Sequence, residues 1–345
     1  MNKKPGSNSD SQSQEGEGIV NSRPHVVVIG AGLAGLAAAT RLKAGGFHIT
    51  VLEKSRGPGG RMSTRREPVG QFNHGAQYFT CSDPGFKTLV ADAVQRGVLQ
   101  EWQARIGVID SSGVRPASAG TRRYVGIPGM NALCRNLAAQ LEDVRFDWTV
   151  TGMEYSQDGW LIRKQDGEIL EADSVVLTVP PEQARQLLPA KVLGNLLDSI
   201  HMHPCWAVMA VLDRPLLEDF DAVFVNSGPL SWLASQPGSA ANSHAWILHA
   251  SAEWSQLHLE QDPGWVSTQL LQEAKNFNAS TDLNVVWSKA HRWRYCMARK
   301  PLQAGSLSIP GYKLVLAGDW CHGSKVEGAY LSGMAAADSL LGSPA

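Results

Sequence analysis

Short apolar runs alternate along the chain with glycine-rich and polar breaks, and each run has a period that can be read. HVVVI (25–29) is β-branched, uninterrupted and closed by glycine, the pattern of a strand buried on both faces. LAAATRLKA, ending at Ala44, is helical in composition and is stopped by Gly45-Gly46, after which HITVLE forms a second strand ending at Glu53. These pieces make a βαβ opening. Asp83-Pro84 reads as a cap and first turn, predicting a helix to about Gly97. Residues 145–179 read as short strands: VRFDWTV, then WLIRK and EIL around the Asp166-Gly167 turn, then SVVLTV. From Pro204 to Trp293 the runs WAVMAVL, AVFV, SWLA, AWILHA and NVVW predict a β-rich block with one helix near 265–276. YKLVLA is a last buried strand, followed by Gly318-Asp319 and a helix from about Glu327 to Leu340. No repeat of solenoid length interrupts this order.

Composition narrows the picture. A chain of 345 residues with 43% hydrophobic and 18% charged residues has material for about two domains. A net charge of -1 without a basic block removes the electrostatic footprint of a nucleic-acid binder. Cys81, Cys134, Cys205, Cys296 and Cys321 are widely spaced and form no Cys-x-x-Cys pair, so reduced, packed thiols are expected and no metal. Residues 1–24 are polar and read as a disordered tail; they lack a secretory h-region, and Asp10, Glu15 and Glu17 argue against a transit peptide. With no apolar run long enough to span a bilayer, a soluble, cytoplasmic protein without a membrane partner is expected. Two counts ask for explanation: 34 glycines, and 11 tryptophans of which seven fall between 204 and 293.

The glycines lead to chemistry. Gly30-Ala-Gly32-Leu-Ala-Gly35 sits between a strand and a helix, with an acidic residue, Glu53, at the end of the next strand. In that context Gly30 permits the tight turn, Gly32 lets a pyrophosphate approach the backbone, Gly35 allows close helix packing, and Glu53 accepts from an adenosine ribose. The fingerprint does not separate NAD from FAD. The extension through Gly59-Gly60-Arg61 adds a second glycine loop with a cation for the pyrophosphate or its neighbourhood, which a plain NAD unit does not need. Near the other chain end Gly318-Asp319 closes a strand, placing a carboxylate for the ribityl or pyrophosphate side. The helix opening Val326-Glu327-Gly328 can point its positive end at a flavin carbonyl.

LEKSRGPGGRM, FNHGAQYFT, GIPGM, LTVPPEQ and AGDW…VEGAYLSGMAAA together resemble the flavin amine oxidase superfamily, and more closely its renalase branch in bacteria; AWILHASAEWS and AHRWRY favour the closer match. The resemblance runs from about residue 25 to 341. It implies an α/β fold of the p-hydroxybenzoate hydroxylase or amine oxidase type, with a Rossmann-like FAD domain (25–80, 129–195, 296–345) interleaved with a β-rich α+β substrate domain (81–128, 196–295). It implies non-covalent FAD and oxidation of dihydro-NAD(P) isomers reduced at nicotinamide carbon two or six, with O2 as acceptor and H2O2 as product, as metabolite repair. By motif, Ala34, Arg61, Gln77 and Tyr78 fall on FAD-contacting positions, with Tyr78 also bordering substrate. Many relatives carry Asp before the GAQYF motif where this chain has Asn73-His74.

Hydride transfer asks for no catalytic acid or base, and no triad is present. Amine oxidation in this superfamily often uses a lysine near flavin N5, and the strand expected to carry it, from His203, has none. Trp206, Trp232, Trp246, Trp254 and Trp293 are either walls for a nicotinamide ring or packing between sheet and helices, and for any single one packing is the simpler reading. Trp232 and Trp293 are taken as the candidate substrate residues among them. His249 either meets a carboxamide or is a satisfied core histidine, and its position in the family the chain resembles favours the site. Of Arg292 and Arg294, one, taken as Arg292, is expected on a substrate phosphate and the other on the surface. His201 and His203 lack further ligands for a metal. The alternatives are a flavin amine oxidase or other small-molecule FAD oxidoreductase, and a non-catalytic nucleotide-binding protein.

Overall fold

The computed structural model describes Met1 and residues 23–111, 113–118, 120–236, 244–278, 283–309 and 311–342; the expected disordered tail lies, Met1 and residues 23–24 apart, outside them. The β-branched run at 25–29 forms a central strand, His25–Ile29, between Ser174–Leu177 and His48–Leu52, with parallel pairing on both sides. Asp143–Arg145 extends the sheet beyond His48–Leu52, and Leu314–Leu316 with antiparallel Leu307–Ile309 extends it on the other side. Val26, Val27 and Val28 are wholly buried because both faces of this sheet are covered. One face carries the fingerprint helix, Leu33–Ala44, and the closing helix, Val326–Leu341. A Cβ on Gly333 would lie 2.1 Å from the Ala34 carbonyl, so a glycine there lets the two helices touch backbone to backbone. The other face is covered by an antiparallel sheet of Val150–Ser156, Gly159–Lys164 and Ile169–Ala172.

A second body is built on a seven-stranded sheet, in the order Val285–Ala298, Met202–Leu212, His244–Ala250, Leu230–Ser235, Ala222–Val225, Ile106–Asp110, Gly113–Pro116. Its pairs are antiparallel except Ala222–Val225 with Ile106–Asp110. The helix Pro263–Lys275, capped by Asp262, covers its outer face over Trp206, Leu233 and Leu248. The mixed α/β architecture is therefore the one expected.

Two local readings differ. VRFDWTV is not one strand: Asp143–Arg145 ends the parallel sheet, the chain turns through Asp147 in a left-handed conformation (φ 52°), and Val150 opens the cover sheet. Residues 99–126, left without elements by the hydrophobic pattern, supply Leu99–Glu101, Tyr124–Gly126 and two strands of the large sheet. Helices Ala132–Ala138, Pro181–Leu187, Ala190–Leu193 and Ala252–Leu257 are likewise too short to show a period. Among the described residues no helix is long and apolar enough to cross a membrane.

Candidate active site

The glycine fingerprint folds into a turn that leaves no room except at one point. Gly30 has φ 108°, and a Cβ there would lie 2.6 Å from the Thr178 hydroxyl; on Gly35 it would lie 2.0 Å from the Gly30 carbonyl. Gly32 is different: a Cβ there meets nothing within 4 Å. Gly32 caps the fingerprint helix, whose first N–H groups have no intrahelical acceptors and point to the same space. The second glycine loop closes over it. Gly59 N–H donates to the Ala31 carbonyl at 2.9 Å, and Gly60, at φ 52°, comes within 3.6 Å of the Gly32 Cα measured from its own would-be Cβ. Glu53, 7% exposed, accepts from the Ala31 N–H (2.9 Å) and the Ser55 N–H (2.8 Å), so the carboxylate is fixed at the end of its strand beside the turn. These open glycines, free helix amides and fixed carboxylate fit the dinucleotide half of FAD.

Arg61 is held by the protein itself. Its Nη1 and Nη2 fork onto Asp319 at 2.9 and 2.6 Å, and Nη1 also donates to the Cys296 carbonyl at 2.5 Å. Asp319 is 6% exposed, and a buried carboxylate requires a matched cation. The guanidinium is thus engaged within the protein instead of standing open for a phosphate, and it ties the second glycine loop to the Gly318-Asp319 turn. Gly318 N–H in turn donates to Ser332 Oγ on the closing helix at 2.9 Å. Gly328 lines a cavity of about 450 Å3 at the start of that helix, shared with Gln303, His322, Gly323, Lys325 and Glu327.

The loop after Arg61 lies over the inner face of the large sheet. Pairing registers set Phe224, Trp232, His249, Ala207 and His291 side by side across that face, with Trp293 on the same side two residues from His291. The His74 carbonyl accepts from Trp293 Nε1 at 2.9 Å and lies 3.1 Å from His249 Nε2; Gln77 Nε2 is also 3.1 Å from that nitrogen and donates to the Gly75 carbonyl. Burial pushes His74 down to about 3, with His291 and Arg65 adding to it. Burial likewise holds His249 at about 4, and burial with Arg65 holds His291 at about 4. All three imidazoles are neutral near pH 7. Tyr78 stacks on Trp102 and packs tilted against Trp232, each ring 5.5 Å away. Asn73 accepts two bonds through its amide oxygen, from Thr64 Oγ1 (2.8 Å) and the Met130 N–H (3.0 Å).

Gln77, Tyr78, Trp232, His249 and Trp293 are therefore brought together, and Arg292 is not. Strand alternation turns Arg292 to the outer face, where it meets Glu260 at 2.7 Å and lies over the Trp206 ring; Arg294 joins the same carboxylate at 2.6 Å. The expectation of a substrate phosphate on Arg292 is corrected by that side change, which the two-residue period of HRWRY already carried. Trp102, Phe224 and Arg123 were not expected. Nothing in the hydrophobic pattern marks Arg123, which reaches Tyr78 only because Phe79 and Tyr124 exchange backbone bonds of 3.0 and 2.8 Å.

Comparison with known proteins matches residues 118–341 to the flavin containing amine oxidoreductase family and residues 28–93 to an NAD(P)-binding Rossmann-like domain. Lysine-specific histone demethylase 1 homolog 1 of Arabidopsis thaliana is 58% identical over 47 residues, 14% of this chain and 6% of that protein. Hydroxyneurosporene desaturase of Cereibacter sphaeroides is 46% identical over 57 residues, 16% of this chain and 12% of that protein. The alignments thus span about a tenth of these relatives' length or less. Among solved structures, cyclohexylamine oxidase from Brevibacterium oxydans IH-35A superposes with a TM-score of 0.72 at 13% identity, covering 92% of this chain and 99% of that one. A redesigned putrescine oxidase gives 0.70 at 15% identity, covering 92% and 98%. At these identities the likeness is one of fold.

Proposed function

The chain belongs to the flavin-containing amine oxidoreductase family and takes FAD as its cofactor, and from that premise we propose that it is an FAD-dependent oxidase of dihydro-NAD(P) isomers of the renalase type. Bound FAD would supply the hydride acceptor, with O2 as terminal oxidant and H2O2 as product. The observation that carries the reading is that, among the described residues, the face of the substrate domain toward the flavin loop offers no free lysine and only imidazoles whose pKa values are held far below 7. Met202–Leu212, the strand expected to bear an amine oxidase lysine, contains none. Lys289, on the neighbouring strand, is bound to Glu67 at 2.9 Å. The histidines on that face are neutral. A site of flat rings and neutral imidazoles suits a substrate that already carries its hydride at a ring carbon and needs only to be held flat and dry.

In this reading Gly30, Gly32, Ala34, Gly35 and Glu53 hold the adenosine and pyrophosphate. Asp319, positioned by Arg61, meets the ribityl side, and Gly318 and Gly328 shape the turn and helix start beyond it. Gln77 and Tyr78 border the ring system, with Trp232, His249 and Trp293 behind the substrate. The interleaved boundaries given above divide the two bodies. The flavin is non-covalent.

Two measurements test this. Acid precipitation of the yellow protein releases all flavin to the supernatant; colour retained in the pellet contradicts non-covalent binding. Anaerobic mixing with borohydride-reduced NAD(P), which contains the isomers, bleaches the flavin at least tenfold faster than NADPH or a panel of primary and secondary amines. Faster bleaching by an amine makes the protein an amine oxidase.

A further inference from the structure

The backbone bonds between Phe79 and Tyr124 bring together three segments that are distant in sequence. Trp102 N–H donates to the Arg123 carbonyl at 2.7 Å, so Trp102, Tyr78 and Arg123 form one platform at the edge of the large sheet's inner face. The Arg123 guanidinium carbon lies 5.4 Å from the centre of the Tyr78 ring. Trp232 packs against the same Tyr78 ring at 5.5 Å and on Phe224 at 4.5 Å.

The platform is unfinished. Arg123 Nη1 reaches only the nearby Thr121 carbonyl at 3.1 Å, its buried Nε has no acceptor, and no carboxylate pairs with it among the described residues. Trp232 is 6% exposed, and its Nε1 is buried with no acceptor either. Buried donors without partners are costly and uncommon in native structures. Two of them beside one tyrosine ring, while Tyr78, Trp102 and Phe224 stay partly exposed, make an aromatic surface with unused donors that suits a flat ligand carrying acceptor oxygens.

We propose that Arg123 and Trp232 are the specificity-determining residues of the substrate slot, with Arg123 taking a phosphate oxygen of the substrate and Trp232 Nε1 a carbonyl oxygen on its ring. The inference rests on the oxidase reading for the identity of the ring, a nicotinamide with its carboxamide. It goes beyond that reading in naming the cation that meets the substrate's phosphate and the donor that meets its ring. Arg123 here replaces Arg292, which the sheet turns away. The cation–π contact with Tyr78 fixes the guanidinium plane, so little freedom is lost when the phosphate arrives.

The test uses holoenzyme and two substrate preparations, borohydride-reduced NAD and borohydride-reduced nicotinamide riboside, which share the ring and differ in phosphate. Arg123→Gln raises KM for the dinucleotide isomers about tenfold or more and for the riboside less than twofold, with the loss falling in KM and not in kcat. Arg123→Lys, which restores charge without the fork, recovers part of the difference. Trp232→Phe raises KM for both preparations. An Arg123→Gln enzyme with unchanged KM for the dinucleotide, or with equal losses on both substrates, overturns the proposal. ADP-ribose binding, read from the flavin spectrum, separates this inference from the oxidase reading. If no dihydronicotinamide bleaches the flavin but Arg123→Gln still weakens ADP-ribose binding about tenfold, the phosphate site stands and the oxidase reading falls; equal ADP-ribose affinity in the two proteins removes the phosphate site.

Discussion

Gly32 and Gly35 stand three residues apart in one turn and answer to different constraints. A Cβ on Gly35 collides with the Gly30 carbonyl at 2.0 Å, so Gly35→Ala forces backbone apart and is expected to cost about 2 kcal/mol or more in urea unfolding of the apoprotein. A Cβ on Gly32 enters open space, so Gly32→Ala leaves apoprotein stability within about 0.5 kcal/mol while weakening FAD at least tenfold in a titration followed by flavin fluorescence. Equal affinity for FAD in wild type and Gly32→Ala removes that glycine from the cofactor's path. This division was legible in the sequence because the fingerprint's spacing encodes one role per glycine. The partners of Arg61 and Asp319 were not, because each is named by its own loop and only the folded chain shows that the two charges neutralise each other. Arg123 was invisible for the same reason, and its position depends on a bridge between segments separated by a helix.

At the level of elements, period and length decided what could be foreseen. The runs at 25–29, 48–52 and 202–212 became strands because no Asp, Glu, Lys or Arg interrupts them, whereas VRFDWTV concealed a left-handed turn at Asp147. Strands of three or four residues, such as Leu99–Glu101 and Tyr124–Gly126, are held by their neighbours and carry no pattern of their own. Helix ends were readable from their caps: Asp83 accepts from the Phe86 N–H and Asp262 from the Gly264 and Trp265 N–H groups. The joint between the closing helix and the helix Pro84–Gln95 was not. Glu327 accepts from the Ser82 N–H (2.5 Å), the Ser82 hydroxyl (2.7 Å) and the Asp83 N–H (2.7 Å). Glu327→Ala leaves two backbone donors without their acceptor and is expected to lower stability by about 1–3 kcal/mol, while Ser82→Ala removes one bond of the three and costs about 1 kcal/mol or less. Equal losses in the two variants count against a carboxylate clamp at this joint.

Across the whole molecule, the contact between the two bodies is built around imidazoles that stay neutral. An unfolded histidine titrates near 6.5, and His74, His249 and His291 are held at about 3, 4 and 4 in the native chain. Between those values the unfolded chain binds more protons, so stability is intact above about pH 6.5 and falls as pH drops toward 4, by up to about 1.4 kcal/mol per pH unit for each imidazole. Urea unfolding at pH 7.5 and pH 5 measures the slope, and His291→Gln reduces it; a slope untouched by that change means His291 is protonated without disrupting the fold. The interleaving of the chain has a further consequence, in time rather than space. Leu314–Leu316 pairs with Ser174–Leu177, and Asp319 pairs with Arg61, so the strand, carboxylate and helix of the second half of the cofactor site leave the ribosome after every residue they join. A nascent chain not yet extended past Leu314 and Asp319 has its glycine turn but lacks the pieces that close the proposed flavin site, which makes cofactor loading a late event in the chain's synthesis.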